Sequence, residues 1–589
     1  MTPSELSLRK QQLQQSHNEW RAAGLIPDEK EGTTDRYSMM RYLDGYRGEF
    51  PAVLSGGVEP ADQMVGNIFF SIMNTMVSQI SGRTPDPIVR PIGGAASGPD
   101  ARRRAWINEQ VVRTMMREKQ FKEEVDRAVL SAALTPMGLI RHGFTPEIEF
   151  EDKNGKIIPR FKNQTPDMPW IQFMRPWQVR IDPMVNDFRP DSEPRWVAFQ
   201  NLWYAHQIRN NENLIFRKDL QPTHHFDLRP KEQRKGTSKG ANHSEDIMPM
   251  YEEWVMYDFE EQKFFGVTEG SDSLIREEQD WPFNWGQLPY SYLAFNPQLD
   301  TPFAIPPPRL IYDEQILYNK IWTILNALVS RTRRILLYRK DSFAEDEANL
   351  TNPDSMHEFI STQGNPNDVM KEFNFGSIDP QLIGLIFQLK EQIREVLGVS
   401  NFDRGQRANV ETASEADQIG AGGAMARARN QEKVESFWSN IIRVAHRAFL
   451  QSEDSREMII PIIGKENLNF LSKSDRAQGF LKTTLKDLQG EFDYAVKVNS
   501  TMKIDPAVEL AAVVTGYNTL GGVQSKLLNQ RHFHERIVEL TGEDPQQAIL
   551  GEDVAEGVKK QGGDEGPTEA PAAAAAQQGL PDISLVGGG

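Results

Sequence analysis

Cysteine is absent from all 589 residues, which rules out disulfides and thiolate metal sites and fits a reducing compartment. Histidine is sparse, with ten residues, and poorly grouped. His224 and His225 fall in polar, loop-like sequence. His532 and His534 are two apart, a spacing that points them to different faces of a helix. There is no His-Glu-x-x-His, and His446 lies in an amphipathic pattern where a packed histidine is expected, so no zinc site is anticipated. Long apolar runs are missing as well. The best one, residues 321–329 in KIWTILNALVSR, is closed by Lys320 and Arg331, far short of the roughly 20 residues of a spanning helix. The opening MTPSELSLRKQQLQQSHNEW lacks the apolar stretch of a signal peptide. A soluble protein with no membrane partner is expected.

Excess positive charge is also lacking. Lys and Arg total 66 against 83 Asp and Glu, a net charge of −17. That balance disfavours a protein that grips nucleic acid by neutralising phosphates. It remains compatible with one past which nucleic acid slides.

Catalytic signatures are missing. No Gly-x-Ser-x-Gly elbow occurs. The acidic stretches DFEEQ and FAEDEAN read as solvated faces, and Asp341, Glu345, Asp346 and Glu347 lack the Asp-x-Asp-x-Asp-Gly spacing of a calcium loop. The glycine-rich stretch ETASEADQIGAGGAMARAR, with Gly420, Gly422 and Gly423, looks at first like a phosphate cradle. A dinucleotide loop needs a strand before the first glycine and a helix after the last. Here Thr412 and Glu415 form a capping-box pattern that starts a helix before the glycines, and helical sequence continues to Leu450. The reading is one long helix weakened and kinked at its glycines, with no cofactor.

What is present is an ordered succession of elements. Residues 1–50 look helical and polar. Residues 62–81 carry Val65, Ile68, Phe69, Ile72, Met73, Met76 and Ile80 at helical spacing, stopped by GRTPDPIVRP. One charged helix is expected over 100–134. The middle is β-rich: EIEFEDKNGKIIPRF reads as a hairpin about Asn154-Gly155, WIQFMRPWQVRIDP as strand, residues 221–246 as loop, EEWVMYDFEEQKFFGV as a second hairpin, and LPYSYLAFNP as a short strand. Prolines mark a boundary near residue 300.

Helix then returns over 309–338, ending in the basic cluster Arg331, Arg333, Arg334, Arg339 and Lys340, a composition that suits a helix C-terminus. After an acidic excursion, Asp379-Pro380 supplies an N-cap and first-turn proline. The helix they start has Leu382, Leu385, Ile386, Leu389, Ile393, Val396 and Leu397 on one face, with Gly398 as its stop. A polar loop, VSNFDRGQRANV, leads into the glycine-bearing helix. MIIPIIG and EFDYAVKVNS read as strands, and Asp505-Pro506 opens helix that continues to about residue 550. Residues 551–589 lack aromatics and are rich in Ala, Gly, Pro and Glu, a composition expected to be disordered.

This order resembles the portal, or head–tail connector, proteins of tailed bacteriophages. NIFFSIMNTMVSQISGRTPDPIVRP looks like the family's N-terminal helix and its Gly-x-x-Pro exit. FMRPWQVRIDPMVNDFRPDSEPRWV is similar to its wing segment. LPYSYLAFNPQLDTPFAIPPPRLIYDEQILYNKIWT resembles the approach to its stem. LKEQIREVLGVSNFDRGQRANVETASEADQI resembles the run from second stem helix through tunnel loop to long helix. The likeness covers roughly residues 60–545.

The resemblance implies an α+β, mainly helical portal fold. Its parts would be a β-rich wing over 1–300, a first stem helix over 301–340, a clip over 341–378 and a second stem helix over 379–398. A tunnel loop over 399–412 would follow, then the long kinked helix and returning wing strands over 413–504, a crown over 505–550 and the tail. It implies a homo-oligomeric ring, of twelve in this family, at one capsid vertex of the virion, assembled in the host cytoplasm. Double-stranded DNA would pass through its channel. Partners would be the terminase large subunit, adaptor and tail proteins, scaffold and major capsid protein. Arg404, Arg407, Phe402 and Asp403 of the tunnel loop and Arg331, Arg333 and Arg334 of the stem would face DNA. Asp341, Glu345, Asp346 and Glu347 would lie in the docking clip. No enzymatic activity or metal is implied. The other readings left open are a non-portal DNA-binding or scaffold protein and an enzyme of unrecognised type.

Overall fold

The computed structural model describes residues 2–26, 39–50, 64–92, 98–144, 148–153, 156–161, 169–227 and 247–331 (save 193, 212 and 218). It also describes 334–339, 357–362, 370–373, 380–397, 413–451, 458–461, 480–483, 488, 490–497, 501, 506–519 and 537–538. Residues 1–503 form one compact unit and 504–589 a second.

Helix α1 (Pro3–Ala22) opens on a reciprocal cap: the Glu5 amide donates to Thr2 Oγ1 at 3.3 Å and the Thr2 amide to Glu5 Oε2 at 2.5 Å. The helix is polar and is pinned by few side chains. Trp20, fully buried, donates from Nε1 to the Pro176 carbonyl at 3.0 Å and meets the rings of Phe188 and Phe303. Helix α2 (Met39–Arg47) follows.

Helix α3 (Ile68–Ile80) starts later than its apolar pattern suggests. Asn67 Oδ1 accepts the Phe70 amide at 2.9 Å and caps it there, so Val65 stands exposed ahead of the helix while Ile68 to Ile80 supply the buried stripe. After β1 (Pro87–Pro91) the expected single charged helix is two, α4 (Pro99–Glu118) and α5 (Phe121–Leu134). They part at Gln120, whose φ of 51° is left-handed at a cost of about 1–2 kcal/mol. The break lets Trp106, Val111 and Met115 of one helix and Phe121, Val125 and Val129 of the other enter the same core.

The β-rich middle comprises β2 (Gly138–Phe144), the antiparallel hairpin β3 (Ile148–Lys153) and β4 (Lys156–Phe161), β5 (Pro169–Met174), β6 (Val179–Ile181) and β7 (Trp196–Tyr204). A short helix α6 (Ala205–Asn210) intervenes, and then come β8 (His224–Asp227), β9 (Ile247–Asp258), β10 (Lys263–Val267), β11 (Arg276–Asp280) and β12 (Tyr290–Leu293). Both expected hairpins are present, although Asn154 and Gly155 lie outside the described residues. The 221–246 stretch is not all loop: residues 224–227 form β8 on the edge of β9.

Six strands form one sheet, in the order β11-β10-β9-β7-β6 with β8 also on β9. Side chains alternate along β7 as the pleat requires. Val197 and Phe199 face the main core, while Trp196 and Ala198 join Trp254, Met256, Phe265 and Val267 beneath Leu6 of α1. In DFEEQ the expectation of a solvated face fails for Asp258. It is buried, turns the β9–β10 hairpin by accepting the Glu260 and Glu261 amides, and pairs with Arg9 of α1 at 2.5 Å. A second sheet, β12-β2-β5, packs on α5 so closely that a Cβ on Gly138 would lie 2.1 Å from the Ala128 carbonyl oxygen.

The prolines near residue 300 fall inside the first unit. Asn296 closes its loop on Ile305 by two hydrogen bonds, and Pro307–Leu310 forms a 3-10 turn leading into α7 (Tyr312–Arg331). Beyond it lie β13 (Arg334–Arg339), β14 (His357–Thr362), β15 (Met370–Phe373), α8 (Pro380–Val396) and α9 (Ala413–Leu450). The unit ends with β16 (Met458–Pro461), β17 (Phe480–Thr483) and β18 (Phe492–Val496). Strand β17 was not anticipated; β16 pairs with it, and β18 returns to pair antiparallel with β1. The C-terminal half of α9 drives Val434, Phe437, Trp438, Ile441 and Phe449 into the core of α4 and α5. The second unit contains α10 (Pro506–Thr519), which begins at the proline the sequence marks. The fold is α+β. Among the described residues no helix is long and apolar enough to cross a membrane.

Candidate functional site

The feature with most functional content is the α7–α8 helix pair and the small sheet at its end. Helix α7 is fixed by an unusual buried polar ladder at i, i+4 and i+8. Gln315 Oε1 accepts the Phe69 amide at 3.2 Å, and Gln315 Nε2 donates to the Gly66 carbonyl at 2.9 Å. Asn319 Oδ1 accepts from the Gly66 amide and from Gln315, while Thr323 Oγ1 accepts the Met64 amide at 3.3 Å. All three side chains are buried. They serve the backbone of residues 64–69, which would otherwise leave amides unpaired in the interior. On an adjoining face Tyr312, Tyr318 and Ile321 are buried, and burial pushes the Tyr312 phenol above its usual range.

Helix α8 packs against α7 through Ile386, Leu389 and Ile393, with Leu382 and Leu397 half-buried beside them. Leu385 and Val396, expected on this buried face, are instead exposed. They lie on the flank of the stripe, because one α7 helix covers a narrower arc than the seven apolar residues span. On the opposite flank Ile383 and Phe387, an i, i+4 pair, are 44% and 62% exposed. Leu317 and Val329 of α7 are exposed too.

Sequence reading extended α7 to residue 338; the helix stops at Arg331. Residues 334–339, RILLYR, form a central strand, parallel to β14 and antiparallel to β15. The run is rich in β-branched, aromatic and aliphatic residues, and non-local pairing wins over helix continuation. Ile335 at the start of β13 pairs with Phe373 at the end of β15. The start of β13 and the end of β15 therefore lie at the same end of this sheet.

The anticipated site residues distribute as follows. Arg331 is the last residue of α7. Arg334, expected within the helix end, is instead the first residue of β13, opposite His357. Arg333, Arg404, Arg407, Phe402 and Asp403 lie outside the described residues, as do Asp341, Glu345, Asp346 and Glu347. Gly420, Gly422 and Gly423 lie within α9, whose backbone stays helical across all 38 residues. They are not a strand-to-helix phosphate loop. Ile383 and Phe387 were missed, although their i, i+4 spacing beside the main stripe was visible.

Helix α9 is tied to its surroundings by polar groups. His446, fully buried as anticipated for a packed histidine, lies 2.8 Å from the Tyr494 hydroxyl of β18. Burial pulls its imidazole down to about 3 and pushes Tyr494 up to about 12. Arg443 donates to Gln287 and Asn440, and Asn440 donates to Ser291, which also bonds His142 at 2.8 Å. The Ser291–His142 pair is wholly buried, so it has no access to a substrate. Among the described residues no group of three or more metal-ligating side chains occurs.

Comparison with protein-family models and with curated proteins finds no match to this chain.

Proposed function

We propose that this chain is the portal subunit of a tailed bacteriophage. In this reading it assembles as a homo-oligomeric ring, twelvefold by the family's habit, at one vertex of the virion capsid. DNA passes through the ring in packaging and ejection, and the terminase large subunit, adaptor and tail proteins, scaffold and major capsid protein meet its surfaces. Helices α7 and α8 are the stem, β13 to β15 and the segments between them the clip, residues 399–412 the tunnel loop, and α10 the start of the crown.

One observation carries the reading. A packed helix pair brackets a small three-stranded sheet along the chain and leaves apolar side chains, Ile383 and Phe387 above all, exposed. Closed rings use a heterologous contact, in which one face of a subunit meets a different face of the next. A two-helix stem with apolar residues on both flanks of its packed seam offers two such faces. Burying them gains roughly 25 cal/mol per Å² of apolar surface. The net charge of −17 suits a conduit, because every neutralised phosphate adds a salt-dependent grip.

Particle mass and projection images of the purified chain, alone and with its scaffold, test the proposal. Rings with a central hole near 0.8 MDa, about twelve subunits of 67.0 kDa related by cyclic symmetry, are expected. Failure to form rings with scaffold present overturns it.

A further inference from the structure

A cleft of about 350 Å³ lies between α1 and the six-stranded sheet, remote in role from the stem. One wall is a single polar face of α1, with Ser7, Lys10, Gln14 and His17 at helical spacing. The other is built by Trp254 and Val267 of the sheet, with Leu13 completing an apolar side.

Arg180 is set into this cleft from β6, a strand buried at all three positions. The residue is 4% exposed. Its Nη1 donates to the carbonyls of Trp177 at 2.9 Å and Val179 at 2.8 Å, which fix the guanidinium plane. Its Nη2 faces His17 Nδ1 at 3.4 Å, and its Cζ lies 4.7 Å from the Trp254 ring centroid. Among the described residues no carboxylate lies within ion-pair distance of it. Glu269, which with Thr268 also lines the cleft, and Glu252 act on it electrostatically without forming an ion pair. Lys10, the other cation on the wall, is already engaged by the Ser271 carbonyl and by Asp272.

A desolvated cation without a counter-ion costs several kcal/mol relative to a paired one. Here that cation is held rigid, stacked on an indole and turned to a cavity large enough for a small ligand. Guanidinium presents a planar fork suited to a carboxylate, and the indole and aliphatic wall suit a flat apolar body.

We propose that this cleft binds a small molecule that carries a carboxylate on a planar apolar group, with Arg180 taking the carboxylate and Trp254, Leu13 and Val267 the ring. His17 orients the guanidinium: burial, and then Arg180 itself, depress its imidazole, so neutral Nδ1 accepts from Nη2.

Benzoate and its uncharged isostere benzamide are the probes, titrated into the full chain and followed by ligand-observed NMR and calorimetry. Benzoate is expected to bind saturably and benzamide at least tenfold more weakly. Arg180→Gln is expected to abolish the difference. Because that residue is buried and its variant is at risk of misfolding, Gln14→Trp, at an exposed helix position, serves as a second variant that fills the cleft mouth. It is expected to abolish benzoate binding with the thermal unfolding midpoint retained. Equal binding of both probes, no binding of either, or benzoate binding undiminished in Gln14→Trp overturns the proposal.

Discussion

His446 on α9 and Tyr494 on β18 join the long helix to the strand that closes against β1. The imidazole Nδ1 and the phenol oxygen are 2.8 Å apart, and the rings meet edge to face with centroids separated by 5.4 Å. The histidine is fully buried and its Nε2 has no hydrogen-bond partner, while Tyr494 is half-buried at the edge of the core. The contact belongs to a core in which α9 packs on α4 and α5, so its protonation state bears on the stability of the whole first unit.

Acid should weaken this unit through its histidines. His446 and His142 both titrate near 3 when folded, because burial disfavours their charged forms; unfolded, they titrate near 6.5. Between these values the unfolded chain binds more protons, so stability falls as pH falls. The contribution is full above about 6.5 and is lost toward about 3, at about 1.4 kcal/mol per pH unit for each histidine. Urea unfolding followed by tryptophan fluorescence from pH 8 to pH 4 measures the slope. His446→Phe should remove part of it.

Gln315→Leu should destabilise the first unit by about 1–3 kcal/mol, the cost of orphaning buried polar partners. It removes the acceptor of the Phe69 amide and the donor to the Gly66 carbonyl while keeping side-chain volume. Chemical denaturation compares it with Leu317→Gln on the exposed face of α7, which should change stability by less than about 0.5 kcal/mol.

Ile383→Glu/Phe387→Glu places two charges on the outward face of α8, where neither side chain supports the subunit's own core. Under the portal reading the variant keeps the circular dichroism and unfolding midpoint of the parent subunit and loses ring assembly. Light scattering reads the loss as a shift from ring mass to subunit mass. Rings that persist unchanged remove α8 from the interface.

Arg404→Ala/Arg407→Ala should still form rings but alter DNA packaging or retention, since the tunnel loop of the proposed portal projects toward the passing DNA. Packaging assays with preformed rings check it. Normal packaging by the variant removes the tunnel-loop assignment.

Parts of this architecture were legible residue by residue. Pro380 and Pro506 each open a helix where an Asp-Pro pair stands in the sequence, because proline fixes φ in the helical range and lacks only an amide that the first turn leaves unpaired. The alternation in EEWVMYDFEEQKFFGV is realised as the β9–β10 hairpin. The i, i+3, i+4 pattern of residues 68–80 is realised as a buried stripe. These signals are local, written in dihedral limits and periodicity.

Other features depended on partners distant in sequence. RILLYR reads equally well as the end of α7, and becomes strand only through pairing with residues 357–362 and 370–373. His224 and Phe226 read as loop until β9 supplies the edge for them. The break at Gln120 is a left-handed residue with no glycine to announce it, tolerated because two helix faces gain the same core. Gln315, Asn319 and Arg180 look like surface residues in the sequence. They are interior because amides from residues 64–69 and carbonyls from residues 177–179 arrive to satisfy them. The sequence by itself determined where α8, α10 and the β9–β10 hairpin begin, since those choices rest on each residue's own backbone restrictions. Only the tertiary structure decided which polar side chains lie inside and which apolar ones stay outside, because burial depends on what the rest of the chain brings alongside.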